Sequence, residues 1–166
     1  SILKQVMWRQ PSYATLTLLN ELLQTDLRLQ GDLMDEFMHD FENKLVNRLM
    51  VLIEDSCNSI VELESILYQF SSFNSNGELS GELFEIETVE KTKEHTRMFI
   101  ELVRFPALLC RGHNLSMQNF LRYQKVSGFV RPFQMNMIGR MRDILKKISK
   151  FISDRNLPAI RAILDL

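Results

Sequence analysis

Between Ile138 and Ile152 the apolar residues Ile138, Met141, Ile144, Leu145, Ile148, Phe151 and Ile152 recur at intervals of three and four. A helix has about 3.6 residues per turn. This spacing therefore gathers them on one face, with Arg140, Lys146, Lys147 and Lys150 projecting mostly from the other. The same period governs most of the chain. Leu16, Leu19, Leu22, Leu23, Leu27 and Leu29 follow Pro11-Ser12, and Gly31-Asp32 closes that run with a breaker and a good N-cap. From Leu33 the positions Phe37, Phe41, Leu45, Leu49 and Leu52 share a face through Ile53, which predicts one long amphipathic helix. Asn58 is placed to cap the next helix, with Val61, Leu63, Ile66, Leu67 and Phe70 as its stripe. After a break, Met98, Leu102, Phe105 and Leu109 continue a helical pattern that Pro106 should bend or restart. Asn114 is placed to cap a helix to about Gln124, with Met117, Phe120 and Leu121 inward, and Gly128 and Pro132 mark the next junction. A last helix, from Pro158, stops mid-pattern at Leu166, so we expect the chain to be a piece of something longer.

No run alternates with period two and β-branched residues, so the expected fold is all-α: an armadillo-like helical repeat or an irregular bundle of about six to seven helices. Size and composition fit one domain, residues 1–166, since 166 residues with 45% hydrophobic and 25% charged side chains can bury a substantial core. Residues 71–89 hold two glycines, several turn formers and a set of glutamates without a base, and read as a flexible acidic linker. Placing Gly77 at the sixth position of a calcium loop puts Ser72 at the first and Leu83 at the twelfth, where carboxylates are required, so the calcium-loop reading fails.

Two cysteines, Cys57 and Cys110, make no disulfide framework and point to a reducing compartment. No apolar run reaches membrane-spanning length and the first residues carry no signal-peptide pattern, so a cytoplasmic chain is expected. Of the 20 basic residues, 15 fall in 91–166, against an acidic first half. We read this as neutralisation within the chain or by neighbouring proteins, and expect no nucleic-acid partner. Cys110 and His113 could share a metal, but His39 and His95 lie elsewhere and two ligands do not make a structural zinc site. The signatures of common hydrolases, zincins and nucleotide-binding enzymes are absent, so neither a catalytic residue nor a metal or other cofactor is assigned.

The stretch from Arg104 to Gln124, RFPALLCRGHNLSMQNFLRYQ, closely resembles a segment of the intracellular calcium-release channels, the inositol trisphosphate and ryanodine receptors, within their RIH-associated domain. The family pattern is an Arg-Phe pair, Leu-Leu-Cys, an acidic residue, His-Asn, and a Gln-Asn-x-Leu-Arg-x-Gln run. Arg104, Phe105, Leu108, Leu109, Cys110, His113, Asn114, Gln118, Asn119, Leu121, Arg122 and Gln124 match it. The resemblance implies a non-catalytic armadillo-like module on the cytosolic side of the endoplasmic reticulum or another calcium store. In such a channel the module couples ligand-binding layers to the pore, touching other domains of the same chain and neighbouring subunits of a homotetramer, and does not itself enter the membrane. It also implies that His113, Asn114, Gln118 and Asn119 satisfy backbone groups at a helix turn, with Arg122 reaching a carboxylate or helix end. One position departs: the family uses a glutamate after the motif cysteine for calcium, where this chain has Arg111, and a cation cannot ligate calcium. The alternative is a free-standing helical scaffold for protein partners.

Overall fold

The computed structural model describes residues 9, 11–40, 44–73, 79–112, 114–123, 125–126, 129–130 and 136–166. Among them are seven helices: α1 Tyr13–Thr25, α2 Leu27–His39, α3 Lys44–Phe73, α4 Leu79–Leu109, α5 Leu115–Tyr123, α6 Met137–Ile148 and α7 Leu157–Leu164. Between α5 and α6, β1 (Lys125–Val126) and β2 (Phe129–Val130) pair antiparallel, Lys125 opposite Val130 and Val126 opposite Phe129. Two residues per strand are too few for alternation to announce, and this short ladder leaves the all-α class intact.

Helix starts follow side-chain capping. Ser12 Oγ accepts from the Thr15 N–H at 3.2 Å, and Asp26 Oδ1 accepts from Arg28 and Leu29 at 2.9 and 3.1 Å. Asn136 Oδ1 takes the Gly139 N–H at 3.0 Å. The cap at Asp26 moves the expected boundary: α2 runs through Gly31-Asp32 instead of stopping there. A glycine inside a helix costs about 1 kcal/mol. Burial of Leu33, Met34 and Phe37 along the same helix outweighs it. The expected single helix from Leu33 to Ile53 is divided, α2 ending at His39 and α3 beginning at Lys44, with the Asp40 carboxylate accepting from the Leu45 N–H at 2.7 Å. Phe41 lies outside the described residues. Asn58 starts no helix; α3 passes straight through it, and its side chain instead receives Lys147 Nζ.

The expected linker at 71–89 is helical at 71–73 and again from residue 79 onward. Glutamates are good helix formers, and ion pairs at helical spacing suit the surface of a helix as well as a loop. Glu87 pairs with Lys91 at 2.7 Å and Glu90 with Lys93 at 2.6 Å. Pro106 lies inside α4 without ending it. A proline there is tolerated because the final turn of the helix is near, and Cys110 still donates to the Pro106 carbonyl at 3.2 Å. Gly128 and Pro132 lie outside the described residues.

Helices α3 and α4 form the frame. They run antiparallel: Arg48 and Leu102 line one cavity together with Ser59 and Glu94, and further along the Phe70 and Phe84 rings meet at 5.4 Å. Helices α1 and α2 pack on the C-terminal half of α4, α6 lies along α3, and α7 returns onto α4. One continuous core runs from Leu16 to Ile163, centred on the fully buried rings of Phe37, Phe99, Phe105 and Phe120.

Candidate functional site

The motif from Arg104 onward forms the junction between α4 and α5. Arg104 Nη2 reaches Glu21 of α1 at 3.3 Å and Nη1 reaches Glu101 at 3.6 Å. Phe105 is fully buried and its ring meets Phe37 of α2 at 5.8 Å, a tilted aromatic pair. The carbonyl of Leu108 accepts from Gln30 Nε2 at 2.6 Å, and Leu109 is fully buried. The chain then turns: Arg111 donates its backbone N–H to the Leu108 carbonyl at 3.2 Å, and Gly112 adopts φ 76°. That left-handed conformation suits glycine, which avoids the Cβ clash of other residues. Asn114 opens α5 as a side-chain cap. Its Oδ1 accepts from the Met117 N–H at 3.0 Å, its carbonyl from the Gln118 N–H at 3.0 Å, and its Nδ2 approaches Met34 Sδ at 3.0 Å.

The structure thus brings Arg104, Phe105, Leu108, Leu109, Cys110 and Asn114 into one joint with α1 and α2. Leu121 is buried beside them, whereas Asn119 and Arg122 are exposed. Gln118 enters the joint through its backbone N–H rather than its amide. Among the described residues, no hydrogen bond engages the Asn119 or Arg122 side chain. Arg122 sits in the last turn of α5, where a cation faces the negative end of the helix dipole. His113 and Gln124 lie outside the described residues. Arg111 is exposed, and among the described residues no cluster of three or more His, Cys, Asp or Glu is placed to hold a metal.

The thiols are not activated. Burial pushes Cys110 up to about 11, and it pushes Cys57 to about 11 as well, Lys147 opposing and Glu54 adding to the shift. A nucleophilic cysteine requires the opposite displacement.

Further residues belong to the tie between the chain's two halves. Asn20 is fully buried and donates Nδ2 both to the Glu101 carbonyl at 2.9 Å and to Glu101 Oε2 at 2.7 Å. Its Oδ1 is buried without a partner among the described residues. At the other end of the frame Glu64, 3% exposed, accepts from Ser153 Oγ at 2.6 Å and from Arg155 Nε and Nη2 at 3.0 and 2.8 Å. The paired carboxylate raises Arg155 above its ordinary value. Asn156 completes the loop, accepting from the Ser153 N–H at 3.0 Å and donating to the Phe151 carbonyl.

The sequence carried a signal for these positions: a polar residue in a slot of an apolar stripe. Asn20 takes such a slot in Leu16–Leu19–Asn20–Leu23, Gln30 in Gln30–Leu33–Met34–Phe37, and Glu64 in Ile60–Glu64–Leu67. Each is a buried group that must find a distant partner. All three partners, Glu101, Leu108 and Arg155, lie in the second half of the chain.

Among the described residues no helix is long and apolar enough to cross a membrane. Comparison with curated proteins and with solved structures gives no match. One family model does match, over residues 93–166, beginning inside α4 and covering the α4–α5 joint together with α6 and α7. The matching model is that of the RyR and IP3R Homology associated family, and the Arg-Phe, Leu-Leu-Cys and Gln-Asn-x-Leu-Arg residues all fall inside the matched span.

Proposed function

We propose that this chain is a non-catalytic helical module of an intracellular calcium-release channel and passes motion between the ligand-binding layers and the pore. The observation that carries this is the family match over residues 93–166, with the α4–α5 joint inside it. The architecture supports the reading. A force-transmitting part must move as a body. The single continuous core, together with buried polar ties at both ends of the α3–α4 frame, resists internal shear. In this reading the module stands on the cytosolic face of the endoplasmic reticulum or another store membrane, against other domains of its own chain and of neighbouring subunits in a homotetramer. Arg111 makes the position after the motif cysteine unable to ligate calcium, so activation by calcium does not pass through it.

Two measurements test this. The complete coding sequence should extend to a C-terminal pore region with several membrane-spanning helices; a reading frame that closes shortly after Leu166 supports a free-standing scaffold instead. In the full-length protein, Arg155→Met should reduce agonist-evoked calcium release from stores while ligand binding to the upstream layers is unchanged. Equal loss of both would mean misfolding and not uncoupling.

A further inference from the structure

A hydroxyl inside a helix commonly settles on the carbonyl one turn back. Thr88 donates to Phe84 in this way at 2.7 Å, Thr92 to Thr88 at 2.8 Å and Ser59 to Asp55 at 3.1 Å. Ser56 does not. It is 7% exposed, and among the described residues its Oγ has no hydrogen-bond partner. It lines a cavity of about 480 Å³ between α3 and α4. A buried hydroxyl left unpaired costs free energy, and one that faces a cavity is paired by whatever enters it. The cavity has an apolar floor and a charged rim. Leu52 and Leu102 are buried, with Met98 half-buried beside them. Asp55 of α3 and Glu94 of α4 stand exposed at the rim, and among the described residues neither carboxylate has an ion-pair or hydrogen-bond partner. The imidazole of half-buried His95 has none either. Arg48 belongs to the far end, about 10 Å along α3 from Asp55, and pairs with neither carboxylate.

We propose that this cavity binds a small organic cation, a primary ammonium carried on a short apolar chain. An ammonium has three donors and no acceptor. Asp55 and Glu94 supply two acceptors of opposite charge, and the Ser56 hydroxyl supplies a third at the foot of the rim. The apolar chain then lies over Leu52, Met98 and Leu102 toward the Arg48 end, which the cationic head avoids. An anion would meet both rim carboxylates, and a neutral ligand would leave them unanswered. Among the described residues no three carboxylate, imidazole or thiol groups are placed to hold a metal ion, so the spacing suits an organic cation and not a bare one. A cavity of about 480 Å³ is in the range of small-molecule sites, which combine apolar walls with a few polar groups. The inference rests on the α3–α4 geometry alone and holds whether or not the chain is part of a channel.

The test titrates hexylamine, hexanol and hexanoate, which share one apolar chain and differ in the head group, into the isotope-labelled 166-residue chain and follows its backbone amides by NMR. Hexylamine should shift the amides of Ser56, His95 and Met98 saturably, with a dissociation constant of about 1–10 mM for a ligand of this size. Hexanol and hexanoate should bind about tenfold more weakly or worse. Asp55→Asn with Glu94→Gln should weaken hexylamine about tenfold and leave hexanol unchanged. Both side chains are exposed, so the amide spectrum should otherwise keep its dispersion. Ser56→Ala should weaken hexylamine about fivefold through the lost acceptor. Equal binding of the three probes overturns the proposal, as does tightest binding of hexanoate, which would make Arg48 the determinant. Hexylamine binding that ignores the loss of both carboxylates overturns it too, as does the absence of saturable shifts at these amides up to about 50 mM.

Discussion

Substituting Arg155 by Met leaves Glu64 with most of its attraction removed. The carboxylate is 3% exposed and accepts three hydrogen bonds, two of them from the guanidinium at 3.0 and 2.8 Å. Those two are charge-assisted and are the strong ones. After the substitution only Ser153 Oγ remains. Stranding a buried charge in this way costs about 3–5 kcal/mol, because the charge keeps its desolvation penalty and loses its partner. The reverse substitution, Glu64→Leu, frees a guanidinium whose side chain is 33% exposed and can turn to water. It should therefore cost less, about 1–2 kcal/mol. The double variant, with two apolar groups in place of the pair, should fall nearer the Glu64→Leu value than the sum of the two. Urea unfolding followed by circular dichroism measures all three, with an unchanged slope confirming a common unfolding reaction. Finding Arg155→Met no more destabilising than Glu64→Leu, or finding that the two effects simply add, would refute this reasoning. Either result would mean that Glu64 is hydrated in solution and the tie between α3 and the α6–α7 loop is a surface contact.

Ile148→Asp places an unpaired charge at a fully buried position of α6 and should cost several kcal/mol. Lys147→Asp, exposed and tied to Asn58, should cost under about 1 kcal/mol; urea midpoints of the two variants decide it. Cys57, raised to about 11 by burial, should react with a disulfide reagent at about pH 8 roughly 100-fold more slowly than a free thiol near 9.0, and faster only in denaturant. The same shift has a defined sign in stability. The folded state keeps the Cys57 proton after the unfolded state has lost it, so this contribution is complete below about pH 9 and fades between about 9 and 11. Cys57→Ala should flatten the fall over that interval. Calorimetric titration with calcium at micromolar levels should show no saturating heat for the chain or for Arg111→Glu, which restores one carboxylate where at least two are needed; one ion bound per unaltered chain would mean that another acidic cluster forms a site.

The helical class, the middle of the α6 stripe and the capping role of Asn114 were legible because each rests on local periodicity or on a side chain reaching its own backbone; the ends of the stripe were not, since Ile138 and Ile152 are exposed and α6 stops at Ile148, before Phe151 and Ile152. Met117, Phe120, Met141, Ile144 and Ile148 are all buried as their spacing demands. The boundaries were less legible. Gly31-Asp32, Asn58 and the glutamates of 79–89 look like stops when judged locally, yet all lie within helices. The packing of α2, α3 and α4 outweighs propensities of about 1 kcal/mol or less per residue. The motif residues were legible as a set only through their resemblance to a family. Their geometry was not: nothing in Arg104 or Leu108 names Glu21 or Gln30, residues about eighty positions earlier. Long-range partners of buried polar groups are decided by the tertiary arrangement, and a single sequence shows only that a partner is owed.

The family match begins at residue 93, partway along a continuous helix whose other end is held by α3, and that placement constrains how such a segment can be inherited. A recombination event that joined residues 93–166 to a new upstream sequence would cut α4 in its middle and deliver Arg140, Arg155 and the Leu108 carbonyl without Glu54, Glu64 and Gln30. The product would carry the recognisable motif and lack the residues that seat it. Substitutions at those upstream positions are therefore expected to track substitutions in the motif across descendants.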